Sequence, residues 1–333
     1  MQLARRERIT GLLVSAILYQ ALPATTEQAE EAQLAHRASM VTALALEASL
    51  VKTALLLEEA GIDYRVLKGT GVAHLDYPFP WLRSFGDIDL LVRSAQYDDA
   101  VKTLVATGHR RRFPEPRPGF DRRFGKGSCL VSPAGYEVDL HRTFAMGPYG
   151  LLVDLDDLWH RSSTFELAGR VFHALGPEER FLHACFHAAL GNDPPRLAPL
   201  RDVAQMHLAR PLDVDLTRHL SASWKADAVV ARAVQLSEEF LALTSDTPLS
   251  RWAMEYTPDR HDRQSLAVYS GAGRSYAAKS FAALRALSGV RDKATFLLSL
   301  ALPSRRYLEQ RQQRATGRWR RGLTEVLRSR RSR

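Results

Sequence analysis

The stretch Phe85-Gly86-Asp87-Ile88-Asp89-Leu90-Leu91-Val92 decides how this chain is read, together with a second one downstream, Tyr136-Glu137-Val138-Asp139-Leu140-His141. Both are apolar with acids at alternate positions, the pattern of short strands. Side chains two apart on a strand share a face, about 6.6 Å apart along it. Asp87 and Asp89 are thus expected on one face, where a neighbouring strand can present Asp139. An Asp-x-Asp alone is most often a turn, a helix cap or a solvated edge. Here Leu90, Leu91 and Val92 follow at once, so the segment continues as a buried strand. Carboxylates gathered on one sheet repel each other and lose hydration unless cations neutralise them. Hard divalent ions with oxygen ligands, Mg²⁺ or Mn²⁺, meet that need. The pattern points to a metal-assisted phosphoryl- or nucleotidyl-transfer site. In such a site two cations clamp the attacking and leaving oxygens of an in-line displacement.

Composition sets the frame around this site. With 333 residues, 45% hydrophobic and 25% charged, the chain suits two modest domains or one domain with a helical extension. Its two cysteines, Cys129 and Cys185, lie far apart in apolar runs, which excludes a disulfide scaffold and a Cys-x-x-Cys zinc site. The formal charge of +9 is local. Residues 311–333 hold nine arginines against Glu325 alone, so +8 belongs to this tail and the body is nearly neutral. Nucleic-acid contact is therefore expected, if anywhere, through the basic tail.

At the N-terminus Arg5, Arg6 and Arg8 precede an apolar run over 9–22, loosely like a signal peptide. Glu7 interrupts the basic cluster, and Gln20 and Pro23 close a run too short to span a bilayer. An amphipathic helix is the better reading. A long Ala-, Leu- and Glu-rich helix is expected over 36–60, ended by Gly61. With no transmembrane segment expected and chemistry that needs nucleotide and Mg²⁺, the cytoplasm is the expected location, with no membrane partner. The predicted organisation is N-terminal helices over 1–60, an α+β catalytic core over 61–150, a mostly helical domain over 151–310, and the Arg-rich tail over 311–333. Within the core, a strand at 64–67 runs into the turn Lys68-Gly69-Thr70-Gly71. A helix is expected over 95–107, and a hairpin through Pro133-Ala134-Gly135 joins 128–132 to 136–142.

These residues resemble the polymerase-β-like nucleotidyltransferase superfamily: a Gly turn after a first strand (Lys68-Gly69-Thr70), an Asp-x-Asp strand (Asp87-Ile88-Asp89), and a third acid on a later strand (Asp139). More narrowly the chain resembles the uncharacterised bacterial nucleotidyltransferase family, through Leu67-Lys68-Gly69, Arg83 and Asp139-Leu140-His141. The resemblance covers residues 61–142 and extends more weakly to Leu302-Pro303-Ser304-Arg305-Arg306-Tyr307-Leu308. It implies an α+β fold: a core of small mixed or antiparallel sheet with helices, flanked by the helical segments above. It also implies Mg²⁺-dependent transfer of a nucleoside monophosphate from a nucleoside triphosphate, ATP by default, to an acceptor hydroxyl. Asp87, Asp89 and Asp139 then take the catalytic and metal roles, and Lys68, Gly69, Thr70 and Arg83 the nucleotide contacts. The superfamily's turn is usually Gly-Ser or Gly-Gly. Gly69-Thr70 departs from it while still offering a hydroxyl to a phosphate.

Around this centre Lys68, beside Gly69, is read as a phosphate contact, whereas Arg83 is open between a phosphate and one of the acids. His141 shares the strand face of Asp139 and is free to bond a carboxylate or the substrate. Lys126, at the end of a Pro-, Gly- and Arg-rich loop, His187 and Arg201 are expected to line a substrate cleft. His183 and His187 have zinc-ligand spacing, but no Glu follows His183 and no third ligand is evident, so zinc is not expected. Two rivals remain in view: an Asp-x-Asp glycosyltransferase, in which Asp139 has no natural role, and a silent nucleotide- or RNA-binding protein, against which the retained acids argue. The acceptor, whether small molecule, peptide, protein or RNA, leaves no mark on the sequence.

Overall fold

The computed structural model describes residues 1–209, 211–270 and 276–310. The Arg-rich tail over 311–333 lies outside the described residues. Three helices open the chain: α1 (Gln2–Arg6), α2 (Thr10–Leu18) and α3 (Thr26–Glu59). The start of α3 is fixed by a reciprocal cap. The Thr25 hydroxyl accepts the Gln28 backbone N–H, and the Gln28 side chain accepts that of Thr25. Beyond α3 come β1 (Tyr64–Val66), α4 (Thr70–Leu75), β2 (Ile88–Val92), α5 (Tyr97–Ala106), β3 (Arg110–Arg111), α6 (Phe120–Arg123), β4 (Gly127–Val131) and β5 (Glu137–His141). Short helices α7 (Pro148–Leu152) and α8 (Asp157–His160) lead to β6 (Ser162–Leu167) and β7 (Arg170–Leu175).

All of these strands form one seven-stranded sheet in the order β3-β4-β5-β2-β1-β7-β6. The β2–β5 and β1–β7 pairs are parallel and the rest antiparallel. The central strand β2 is buried along its whole length, and its alternation divides two cores. Ile88, Leu90 and Val92 pack with Leu46, Leu50 and Leu57 of α3 and Tyr97 and Leu104 of α5. Leu91 joins a second core with α9 (Pro177–Leu190), α10 (Leu197–Ala209) and α12 (Asp227–Leu241). Asp89 points the same way as Leu91, so the central carboxylate lies between the sheet and the helical layer.

The α+β class and the β4–β5 hairpin follow the sequence expectations. One feature departs from them. Strands β6 and β7 carry the sheet past residue 150, where the α+β unit was expected to end. Their Arg-, Glu- and His-bearing alternation, a half-exposed pattern, hides them among helical signals. In the helical domain, α11 (Val214–Ser223) is separated from α12 by a turn at Trp224-Lys225-Ala226, with Lys225 in the left-handed region. Helix α3 is long and apolar enough by length and composition to cross a membrane. From Leu46 onward it is built into the core against the sheet, whereas Leu34, Val41 and Leu44 before that point are exposed.

Candidate active site

Parallel pairing of β2 with β5 sets Asp89 directly opposite Asp139 and Leu91 opposite His141. Asp89, Asp139 and His141 each offer a ligand atom, and the three atoms lie within 4.8 Å of one another. Asp89 is the buried centre. Its Oδ1 accepts the Lys68 ammonium at 2.6 Å and His141 Nε2 at 2.7 Å, while its Oδ2 is buried without a hydrogen-bond partner. Burial opposes the charge on Asp89, but Lys68 and His141 outweigh it and hold the carboxyl well below the usual range. For Lys68, burial pushes the ammonium down, and Asp89 with Asp87 more than restores it, raising it above its ordinary value. His141 is lowered by burial and by the nearby Lys126 cation, with Asp89 opposing. Lys126 is likewise lowered by burial and by Lys68, Asp89 and Asp139 offsetting part of that.

An anionic oxygen left bare in the interior is costly. A divalent cation would relieve it, and a donor set of two carboxylates with an adjacent imidazole suits Mg²⁺ or Mn²⁺. The residues present fit such an ion. Asp87 stands apart from this cluster. It precedes the first residue of β2, is about a quarter exposed, and its carboxylate lies 3.6 Å from the Arg8 guanidinium. Asp87 and Asp89 nevertheless line the same cleft of about 230 Å³, together with Lys68, Gly69 and His187.

Gly69 makes the turn between β1 and α4 at φ 59°, a left-handed conformation open to glycine, and Thr70 is buried directly behind it. Arg83 is held by an acid outside the cluster. Its guanidinium grips Asp202 of α10 with two bonds, 2.8 and 2.6 Å, and donates a third at 3.2 Å to the Gly69 carbonyl. Tyr77 also donates to Asp202, at 2.9 Å. Arg83 therefore holds the turn in place, with its acid partner on a distant helix. Arg201 lies over the Tyr77 ring and donates to Gln205, away from the carboxylates. His183 stacks on Phe144 under the sheet, and burial lowers both His183 and His187 well below the usual range, so they stay neutral.

A family model of an uncharacterised nucleotidyltransferase matches residues 1–242. The chain belongs to this nucleotidyltransferase family. No curated protein shows a significant match. Among solved structures, the chain is similar to ANT(2'')-Ia in complex with adenylyl-2''-tobramycin, at 13% identity and a TM-score of 0.37, covering 54% of this chain and 97% of that one. It is similar to the lincosamide antibiotic adenylyltransferase LnuA, lincomycin-bound, at 16% identity and a TM-score of 0.33, covering 48% and 96%. An antigenic nucleotidyltransferase-like protein from Paracoccidioides brasiliensis matches at 17% identity and a TM-score of 0.32, covering 64% and 96%.

Several residues of this nucleotidyltransferase's cleft escaped the sequence reading. Arg6, Glu7 and Arg8 reach it from the N-terminal helices, and Arg196 from the start of the helical layer. Asp202 and Tyr77 anchor Arg83, and Asp76 is bound by the buried Arg180 at 2.8 and 2.9 Å. The one cue was Glu7, a lone acid inside an arginine cluster, which read only as an argument against a signal peptide.

Proposed function

We propose that this chain is a Mg²⁺-dependent nucleotidyltransferase that moves a nucleoside monophosphate from a nucleoside triphosphate, ATP by default, to an acceptor hydroxyl. The observation that carries the reading is the registered Asp89–Asp139 pair with a bare buried oxygen on Asp89, in a chain of a nucleotidyltransferase family. Asp87, Asp89 and Asp139, with His141 beside them, would hold the cation or cations. Bound there, a divalent ion would supply neutralisation of the phosphates and Lewis-acid activation of the reacting oxygens.

The chain's own residues do the rest. Lys68 and His141 keep Asp89 ionised and occupy Oδ1, so that Oδ2 remains free to ligate a cation. Gly69 lets the backbone approach the phosphates without a side chain between. Arg83 and Asp202 hold that turn at its distance from β2. Asp139, at the edge of the cluster and partly exposed, is placed to accept the proton of the incoming hydroxyl. Positioning and charge neutralisation supply the rate in such transfers, with little covalent work by the protein. We place the reaction in the cytoplasm, where triphosphate and Mg²⁺ are available, and assign any nucleic-acid contact to the Arg-rich tail.

The test is an assay with each α-labelled triphosphate, Mg²⁺ or Mn²⁺, and cell extract as acceptor source. Label is expected to move into an acid-stable product with the wild type and not with Asp89→Asn or Asp139→Asn. Transfer that persists in both variants would sink the carboxylate assignment.

A further inference from the structure

Resting on that reading, the cations assigned to the phosphates from sequence turn out to be committed elsewhere. Lys68 is buried on Asp89, and Arg83 is engaged by Asp202 and by the Gly69 carbonyl. A triphosphate carries several negative charges, and the cleft still has to meet them. The exposed arginines on its wall are Arg6, Arg8 and Arg196, and two of these belong to the first eight residues.

That N-terminal segment is built in. Glu7 is buried, and its carboxylate accepts the Leu197 backbone N–H at 3.0 Å and Arg6 Nε at 3.0 Å. Thr10, also buried, shares hydrogen bonds with Ser39 and Ser84. Gly11 brings α2 so close to the loop before β2 that a Cβ there would stand 2.4 Å from the Trp81 carbonyl oxygen. Between these anchors Arg8 takes φ 56°, a left-handed conformation that an L-residue adopts at a cost. The result aims its guanidinium across Gly86 to 3.6 Å from Asp87 Oδ1, a loose contact between partly exposed groups. Arg6 is already paired with Glu7, so Arg8 is the arginine whose partner is exchangeable.

We propose that Arg8 is a triphosphate-binding residue of this site that shares Asp87 with the cation. Its guanidinium holds Asp87 until nucleotide phosphates take it, and Arg196 widens the same positive wall. Guanidinium is suited to the exchange because its planar fork matches carboxylate and phosphate alike. No covalent step is involved, only an exchange of ionic partners.

The experiment uses the full chain as wild type, Arg8→Gly and Arg8→Lys. Glycine suits the left-handed backbone, so Arg8→Gly removes the side chain while relieving the strained φ. Calorimetry follows each of ATP, GTP, CTP and UTP with Mg²⁺, and inorganic tripolyphosphate; Mn²⁺ alone is followed by electron paramagnetic resonance. Arg8→Gly is expected to weaken the wild type's preferred triphosphate and tripolyphosphate by about ten- to a hundredfold, the loss of one charged contact. It should also tighten Mn²⁺ binding, because Asp87 loses its competitor, and Arg8→Lys should recover part of both. A structural role for Arg8 would move metal and phosphate in the same direction, and that outcome overturns the proposal. So does an unchanged triphosphate affinity in a folded Arg8→Gly while the wild type binds tightly. If the wild type binds neither Mn²⁺ nor any triphosphate, the nucleotidyltransfer reading itself falls, and the role of Arg8 with it.

Discussion

At Asp89 two donors share one carboxylate oxygen and none reaches the other, so a single side chain carries both a structural and a chemical load. Repulsion among clustered acids would make neutralisation stabilising, but here the charge is already matched by Lys68. Asp89→Asn strands that buried ammonium and is expected to cost about 3–5 kcal/mol of stability while abolishing transfer. Asp139→Asn should abolish transfer with stability kept within about 1 kcal/mol, since Asp139 is partly exposed. Melting curves beside a labelled-nucleotide assay separate the two. Because the Asp89 carboxyl is depressed in the fold, its contribution is present above the ordinary 3.8 and lost as pH falls through the lower folded value. At Gly69 an added Cβ would stand 3.5 Å from the Asp87 carbonyl oxygen, an ordinary contact, but φ 59° is strained for any β-branched residue. Gly69→Val is expected to lose roughly 1–3 kcal/mol and to block nucleotide binding, as read by calorimetry. An unchanged affinity in a folded variant would remove the turn from the phosphate site.

At the scale of elements, α9 sets a pH limit. Burial holds His183 and His187 neutral, so the unfolded chain binds protons that the fold refuses once pH drops below the ordinary 6.5. Stability should therefore be full above that value and fall as pH decreases through it, by up to about 1.4 kcal/mol per pH unit for each histidine. His187→Gln, at the half-buried end, is expected to flatten the slope of stability against pH between about 6.5 and 5. An unaltered slope would show that His187 takes up its proton in the folded state. The pairing of β2 with β5 was legible because alternation fixes which side chains share a face, and the Asp-x-Asp and Asp-x-His spacings made both strands visible. What fixes Arg83 was not legible, because Asp202 comes 119 residues later on a helix whose charge pattern looks solvated. The same holds for Arg8, whose aim depends on a left-handed backbone angle that no residue type there announces.

For the whole molecule, the charge distribution makes its own prediction. Deleting residues 311–333 removes +8 and should abolish most salt-sensitive binding to RNA or DNA, because each phosphate contact releases counterions. Affinity titrations at two or more salt concentrations check this; an unchanged salt slope after truncation would place the contact surface in the body of the chain. The organisation by class was readable from composition and periodicity, since an α+β centre with helical flanks leaves distinct patterns. Its boundary was not, because β6 and β7 alternate polar and apolar residues at one edge, and β7 reaches back more than a hundred residues to pair with β1.

The two buried arginine pairs, Arg180 with Asp76 and Arg83 with Asp202, tie one short loop to helices made much later. On the ribosome, at roughly 5–20 residues per second, the loop waits about 6–24 s for its second partner to be synthesised. Until Arg180 and then Asp202 are made, Asp76 and Arg83 lack these counter-charges, and until residue 175 β1 lacks β7 along one side. The nascent catalytic half is thus an exposed, unfinished sheet for that interval, a natural client for chaperones. A chain released early, near residue 150, is expected to aggregate instead of yielding a small active enzyme.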